Sequence, residues 1–140
     1  MLFRSRECVP LAINYRNGTI IVEPDEIAER VDGIIVVRKV RTGKRGKSEF
    51  DKLEYALYQK AAADNYGAGA VVEAVHPSDV GVEVVPALTK TKAKNRETKT
   101  DEILNGIMSG AFDPLPEQFT CPRCPHFFIC AAMPRGPLKI

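Results

Sequence analysis

The chain has 140 residues, a length that suits one domain with one core. Hydrophobic residues make up 44% and charged residues 27%, an ordinary soluble composition, and no stretch approaches the roughly 18 apolar residues of a membrane span. The formal net charge is only +2, so a nucleic-acid role has to rest on local patches and not on the overall balance.

The opening MLFRSRECVPLAINY has no long apolar run and no small-residue cleavage site. No secretory signal is expected, and the expected compartment is the reducing cytoplasm, where clustered cysteines are more often metal ligands than disulfides. The chain enters strand-like sequence almost at once, which suggests a piece cut from a longer protein.

Residues 5–15 (SRECVPLAINY) are strand-like, and Asn17-Gly18 signals a hairpin turn. Residues 19–31 begin β-branched, and Pro24 marks an edge or a bend. Asp32-Gly33 is a second tight turn, and residues 33–44 open with a β-branched run that reads as a buried strand. The first third is therefore expected to be an antiparallel meander of three strands. After a polar loop over 41–48, Ser48 is the expected cap of a helix over 49–63, with Phe50, Leu53, Leu57 and Ala61 on its apolar face. Two further strands are expected over 70–77 and 80–88. His76, at the end of the first of these, reads as structural or exposed.

Residues 89–100 (TKTKAKNRETKT) read as a solvated basic loop carrying Lys90, Lys92, Lys94, Arg96 and Lys99. Thr98 or Thr100 would then cap a second helix, with Ile103, Leu104, Ile107 and Met108 facing the core. The order β-β-β-α-β-β-α predicts an α/β fold, more closely α+β with a mixed sheet, and not an all-β barrel. A core over 1–115 and a cysteine-rich tail over 116–140 are the expected parts.

The tail contains CPRCPHFFIC, which places Cys121, Cys124 and Cys130 at CxxCxxxxxC spacing. Three thiolates crowded by a short loop repel one another unless a cation holds them. Pro122 and Pro125 stiffen that loop, and Phe127, Phe128 and Ile129 would shield the site. Two metals stay open on spacing alone. Zinc would take the three cysteines with His126. An iron–sulfur cluster would want a fourth cysteine, for which Cys8 is the only other in the chain.

Together these segments resemble the RecB-type PD-(D/E)XK nuclease domain in its iron–sulfur branch, the kind of module fused to UvrD/Rep-type helicases. The resemblance runs from about residue 5 to 135 and is most specific in the cysteine motif. It implies a restriction-endonuclease-like core and a [4Fe–4S] cluster on Cys121, Cys124, Cys130 and an upstream cysteine. The family's upstream helix, which carries that cysteine, has no counterpart before residue 5. Cys8 falls in the first expected strand, where it reads as a small buried residue. The fourth ligand would then be His126 or lie upstream.

Active members hold Mg²⁺ or Mn²⁺ with an aspartate on one strand and an acid-x-lysine on the next. Pro24-Asp25 fits the first element. The second reads Lys39-Val40-Arg41-Thr42-Gly43, so Arg41 takes the lysine's place and Lys39 replaces the second acid. A cation cannot ligate a divalent metal and repels it. A QxxxY helix motif appears as Glu54 and Tyr58, with its glutamine changed. Asp25 with Glu23, Glu26 or Asp32 is the alternative metal set.

The resemblance thus implies a degenerate nuclease domain, DNA and a helicase module as partners, and no membrane. It also implies that Arg38, Lys39, Arg41, Lys44, Arg45 and Lys47 hold DNA phosphates. The rivals are an active divalent-metal DNA exonuclease and a zinc-stapled interaction module. No GxxxxGK[ST] loop occurs, so ATP hydrolysis is not expected of these residues.

Overall fold

The β-branched run Ile35–Val40 forms β5, the middle strand of a five-stranded sheet. The computed structural model describes residues 2–111, 113 and 121–125. The preceding strands are β1 (Phe3–Arg6), β2 (Leu11–Tyr15), β3 (Gly18–Val22) and β4 (Glu26–Arg30). Helix α1 (Leu53–Tyr66) then leads to β6 (Val71–His76), β7 (Gly81–Val84) and α2 (Lys90–Met108). The main sheet has the order β1-β4-β5-β6-β7, and β2 and β3 form a separate hairpin. Only β5 and β6 run parallel, joined through α1 as a β-α-β crossover, while the other pairs are antiparallel. The fold is therefore α/β with a mixed sheet, as the element order predicts.

The chain divides into two units, Met1–Asn105 and Gly106–Ile140. The core of the first unit is one cluster. Ile27, Val37, Val72 and Ala74 on one sheet face meet Leu11 and Ile13 of the hairpin and Tyr55, Tyr58 and Ala61 of α1. In the second unit, Ala111 N–H returns to Gly106 C=O and Cys121–Arg123 form a short 3-10 turn. Among the described residues no helix is long and apolar enough to cross a membrane.

Several expectations change. The first third holds five strands in two sheets, not a three-stranded meander. Residues 5–15 are split because residues 7–10, ending in Pro10, leave the ladder between β1 and β2. The hairpin turn is Arg16–Asn17, with Tyr15 opposite Gly18. A loop at 17–18 would have set Leu11 opposite Pro24, which has no N–H to give the ladder, whereas the observed register pairs Leu11 with Val22.

Helix α1 is preceded by a 3-10 turn, Glu49–Asp51, and the Ser48 side chain caps nothing. Its most buried line runs through Tyr55, Tyr58, Ala61 and Ala62, with Phe50, Leu53 and Leu57 only half-buried. The two tyrosine rings supply the larger apolar area. Their hydroxyls are satisfied by Glu49 Oε1 at 3.1 Å and the Glu23 carbonyl at 2.7 Å, so burying them leaves no orphaned polar atom.

The largest change is α2. The basic run expected as a solvated loop is its first half. Thr89 caps it, accepting from Lys92 N–H at 3.3 Å. Thr100 is no cap: it lies buried inside the helix and donates back to the Arg96 carbonyl at 2.8 Å. Ile103, Ile107 and Met108, expected in the core, are 43%, 53% and 71% exposed. Within the first unit, α2 instead packs through Arg96, Thr100 and Leu104, a stripe at i, i+4 and i+8.

Candidate functional site

Strands β4 and β5 form a hairpin around the Asp32-Gly33 turn, in which Asp32 accepts from Ile34 N–H and Gly33 adopts φ +82°. This hairpin sets Asp25, just before β4, opposite the far end of β5. Asp25 N–H bonds the Arg38 carbonyl at 3.0 Å, and its carboxylate accepts from Val40 N–H at 2.8 Å. Lys39 Nζ lies 3.2 Å from the same carboxylate oxygen, and it sits 6.0 Å above the ring of Tyr58 from α1. One residue beyond β5, Arg41 forms an ion pair with Glu54 on the first turn of α1. The five positions that the resemblance singles out, Asp25, Lys39, Arg41, Glu54 and Tyr58, therefore share the region where β5 meets α1. Four of them, all but Arg41, line a cleft of about 490 Å³ together with residues 20–23 of the β3 end.

The electrostatics are those of closed ion pairs. Burial alone would lower the Lys39 pKa, but the hydrogen bond to Asp25 and the fields of Tyr58 and Asp25 outweigh it. The ammonium is held above the ordinary lysine value and stays charged. Burial, against the nearby Lys39 charge, raises the Tyr58 phenol, which stays neutral and donates to Glu23. Of the three acids that line the cleft, Asp25 is held by Lys39 and Glu54 by Arg41, while the Glu23 carbonyl accepts from the Tyr58 hydroxyl. Of the alternative acids, Glu26 pairs with Arg38 and Asp32 with Arg30, whereas Glu23 lines the same cleft as Asp25. Among the described residues no cluster of three or more His, Cys, Asp or Glu is placed to hold a metal ion.

The basic stretch is mostly neutralised. Arg38 lies between Glu73 at 2.8 Å and Glu26 at 3.0 Å, with its guanidinium 4.5 Å over the Phe3 ring. Arg45 pairs with Glu83 at 2.7 Å and stacks 4.5 Å over Phe50. Of the six cations between Arg38 and Lys47, only Lys44 and Lys47 are exposed without an ion pair to a described residue. His76 is buried at the end of β6, as a structural histidine would be.

Glu49 was legible only as a first-turn acid, yet it is a buried hub. Its carboxylate takes Lys52 at 2.8 Å and Tyr55 OH at 3.1 Å, with Arg41 Nε at 3.8 Å. The Lys52 hydrogen bond, against the opposing effect of burial, holds Glu49 below the usual carboxylate range. Glu73, the buried partner of Arg38, was also missed. Its signal was an acid in the otherwise apolar AVVEAVH.

Cys8 is neither in a strand nor buried. It lies exposed between β1 and β2, and its thiol donates to the Pro24 carbonyl at 3.0 Å. That bond uses the proton which metal ligation would remove. Cys121 and Cys124 bracket the 3-10 turn, closed by Cys124 N–H on the Cys121 carbonyl at 3.0 Å. Cys130 and His126 lie outside the described residues. In comparisons with known proteins, no family model matches the chain and no curated protein matches it.

Proposed function

We propose that this chain is a degenerate RecB-like PD-(D/E)XK nuclease domain of a DNA repair or recombination helicase, and that it organises its host instead of cutting DNA. The observation that carries this reading is the Lys39 ammonium 3.2 Å from the Asp25 carboxylate. An active member needs two carboxylates converging on a divalent ion there. Here the second carboxylate is replaced by a fixed monovalent cation, which satisfies Asp25 and repels Mg²⁺. A partly exposed pair of this kind adds at most about 1 kcal/mol of stability, so its significance is occupancy of the site and not strength.

Pairing of Arg38, Lys39, Arg41 and Arg45 with acids of the fold favours the organising role over phosphate binding inside this cleft. In the tail, the turn that brings Cys121 and Cys124 together suits two ligands of one centre. Cys121, Cys124 and Cys130 would hold a [4Fe–4S] cluster with one further ligand, and zinc with His126 is the alternative.

The test is a nuclease assay on single- and double-stranded DNA with Mn²⁺ or Mg²⁺. No cleavage is expected, and none is expected to depend on Asp25. Cleavage that Asp25→Ala abolishes would establish the active-exonuclease reading in its place.

A further inference from the structure

We infer that the outer edge of β7 is an interface for a second copy of this chain, joining two five-stranded sheets across a two-fold axis. Strand β7 ends the sheet, and among the described residues it pairs only with β6. Val85 N–H bonds the Val72 carbonyl at 2.8 Å, and hydrogen-bonded pairs alternate along an antiparallel ladder. Gly81 and Glu83 therefore turn their backbone groups toward β6, and Val82 and Val84 turn theirs outward. An edge of this kind is a template for a further strand.

Side chains distinguish the two edges of the sheet. At the other edge β1 reads FRSR, and its exposed Arg4 and Arg6 are charges of the sort that keep a further strand away. Strand β7 reads GVEV. Its one charge, Glu83, lies on the same face as the buried Val85 and is held by Arg45 Nε at 2.7 Å. Val82 and Val84 alternate with it onto the other face, where they are 56% and 59% exposed. The register carries this apolar edge inward, because Val82 lies opposite Val75 and Val75 beside Val40. Three neighbouring strands thus each give one valine to a row that ends at the edge, with Val40 and Val82 both exposed.

A second copy is the occupant that this edge fits. Antiparallel pairing centred on Val82 sets Val82 opposite its own counterpart. Val84 of each copy then meets the turn residue Val80 of the other, and Glu83 meets Gly81. The outward N–H and C=O groups of Val82 satisfy one another, the two valine rows become continuous, and no like charges are opposed. A pairing centred on Glu83 would set two carboxylates face to face. Pro86, the next residue in the outward set, has no N–H and stops the pairing just beyond β7. So short a contact buries less than the roughly 800 Å² per partner of a standard interface, and the dimer is therefore weak and concentration-dependent.

Sedimentation velocity of the full chain from about 10 μM to about 1 mM tests this. A rise from monomer toward dimer is expected, with amide exchange slowing at Val82 and Val84 as concentration increases. Val82→Lys and Val82→Glu each place like charges opposite one another across the axis and should weaken association at least about ten-fold. An equimolar mixture of these two variants should dimerise again, because the introduced charges then have opposite sign. Val31→Lys, at an exposed valine in the β4–β5 turn, should associate as the parent does. Circular dichroism confirms that each variant keeps its fold. A chain that stays monomeric at about 1 mM overturns the proposal and leaves the edge to an extended segment of another protein. It is overturned equally by a dimer that Val82→Lys leaves intact, by the same loss in Val31→Lys, or by a mixture of the two charged variants that stays monomeric. None of these readouts involves DNA, Mn²⁺ or cleavage, so the outcome is separable from that of the proposed function.

Discussion

Lys39 stands beside Asp25, where the proposed reading would need a second carboxylate to take a divalent ion. Substituting Lys39→Glu places a second carboxylate beside Asp25, where two like charges at close range are unfavourable unless a cation joins them. Calorimetric titration with Mn²⁺ should show one site in Lys39→Glu and none in the parent. The variant should also unfold at lower denaturant in EDTA and recover when Mn²⁺ is added. A variant that ignores Mn²⁺ would mean that the cleft does not have the geometry of a nuclease site. Glu49 gives a second test at this scale. Its folded pKa lies below the ordinary value of 4.5, chiefly through Lys52. The stability it contributes is therefore complete above the unfolded pKa and is lost as pH falls through the folded one. Glu49→Gln should cost about 1–3 kcal/mol near neutral pH, because it removes the charge that Lys52, Tyr55 and Arg41 surround. Denaturant unfolding of parent and variant should converge as pH drops below about 4.5, and a constant difference down to about pH 3 would deny Glu49 this role.

At the scale of elements, α2 and β5 make opposite demands on the sequence. Val36 and Val37 of β5 are fully buried, and the strand is held by neighbours on both sides. The first half of α2 is exposed apart from Arg96 and Thr100 and depends on the intrinsic helix preference of Lys, Arg, Glu and Ala. Ala93→Gly should therefore lower helix content over 90–99 by about 1 kcal/mol of local stability while leaving global unfolding almost unchanged. Hydrogen exchange should show amides 94–99 opening without global unfolding and β5 amides only with it. Equal protection of the two would contradict this. The same contrast explains what could be read in advance. The strand at 35–40 and the turn at Asp32-Gly33 were legible because burial and turn chemistry are local signals. Helix α2 was not, because a polar run without Gly or Pro suits a loop and an exposed helix equally until Thr89 and Asp51 fix it. The Tyr55–Tyr58 face of α1 was missed because a count of aliphatic residues passes over rings with polar tips. The site was legible as five positions, four of which line the cleft, but its ion pairs were not. Glu54 meets Arg41 across 13 residues of sequence, and Glu73 meets Arg38 across 35.

For the whole molecule, the question is whether the cysteine tail holds the fold together, as its spacing invites one to suppose. Among the described residues, the buried core cluster, Leu11 through Val85, lies in the unit Met1–Asn105. The sheet, its crossover helix and the hairpin are complete there without a metal-bound tail. A metal on Cys121 and Cys124 would then order its own segment and add little to the core. Anaerobically purified chain should contain iron and sulfide in equal amounts, and Cys121→Ser/Cys124→Ser should contain neither. Cys8→Ser should keep them, since the Cys8 thiol is engaged with the Pro24 carbonyl. One zinc per chain instead would assign the tail to the Cys121, Cys124, Cys130 and His126 set. In either case the double variant should unfold within a few degrees of the parent, because 1 kcal/mol corresponds to roughly 4–8 °C in a domain of about 100 residues. A fall much larger than that would make the tail a structural clasp for the core. The fold would then depend on the metal.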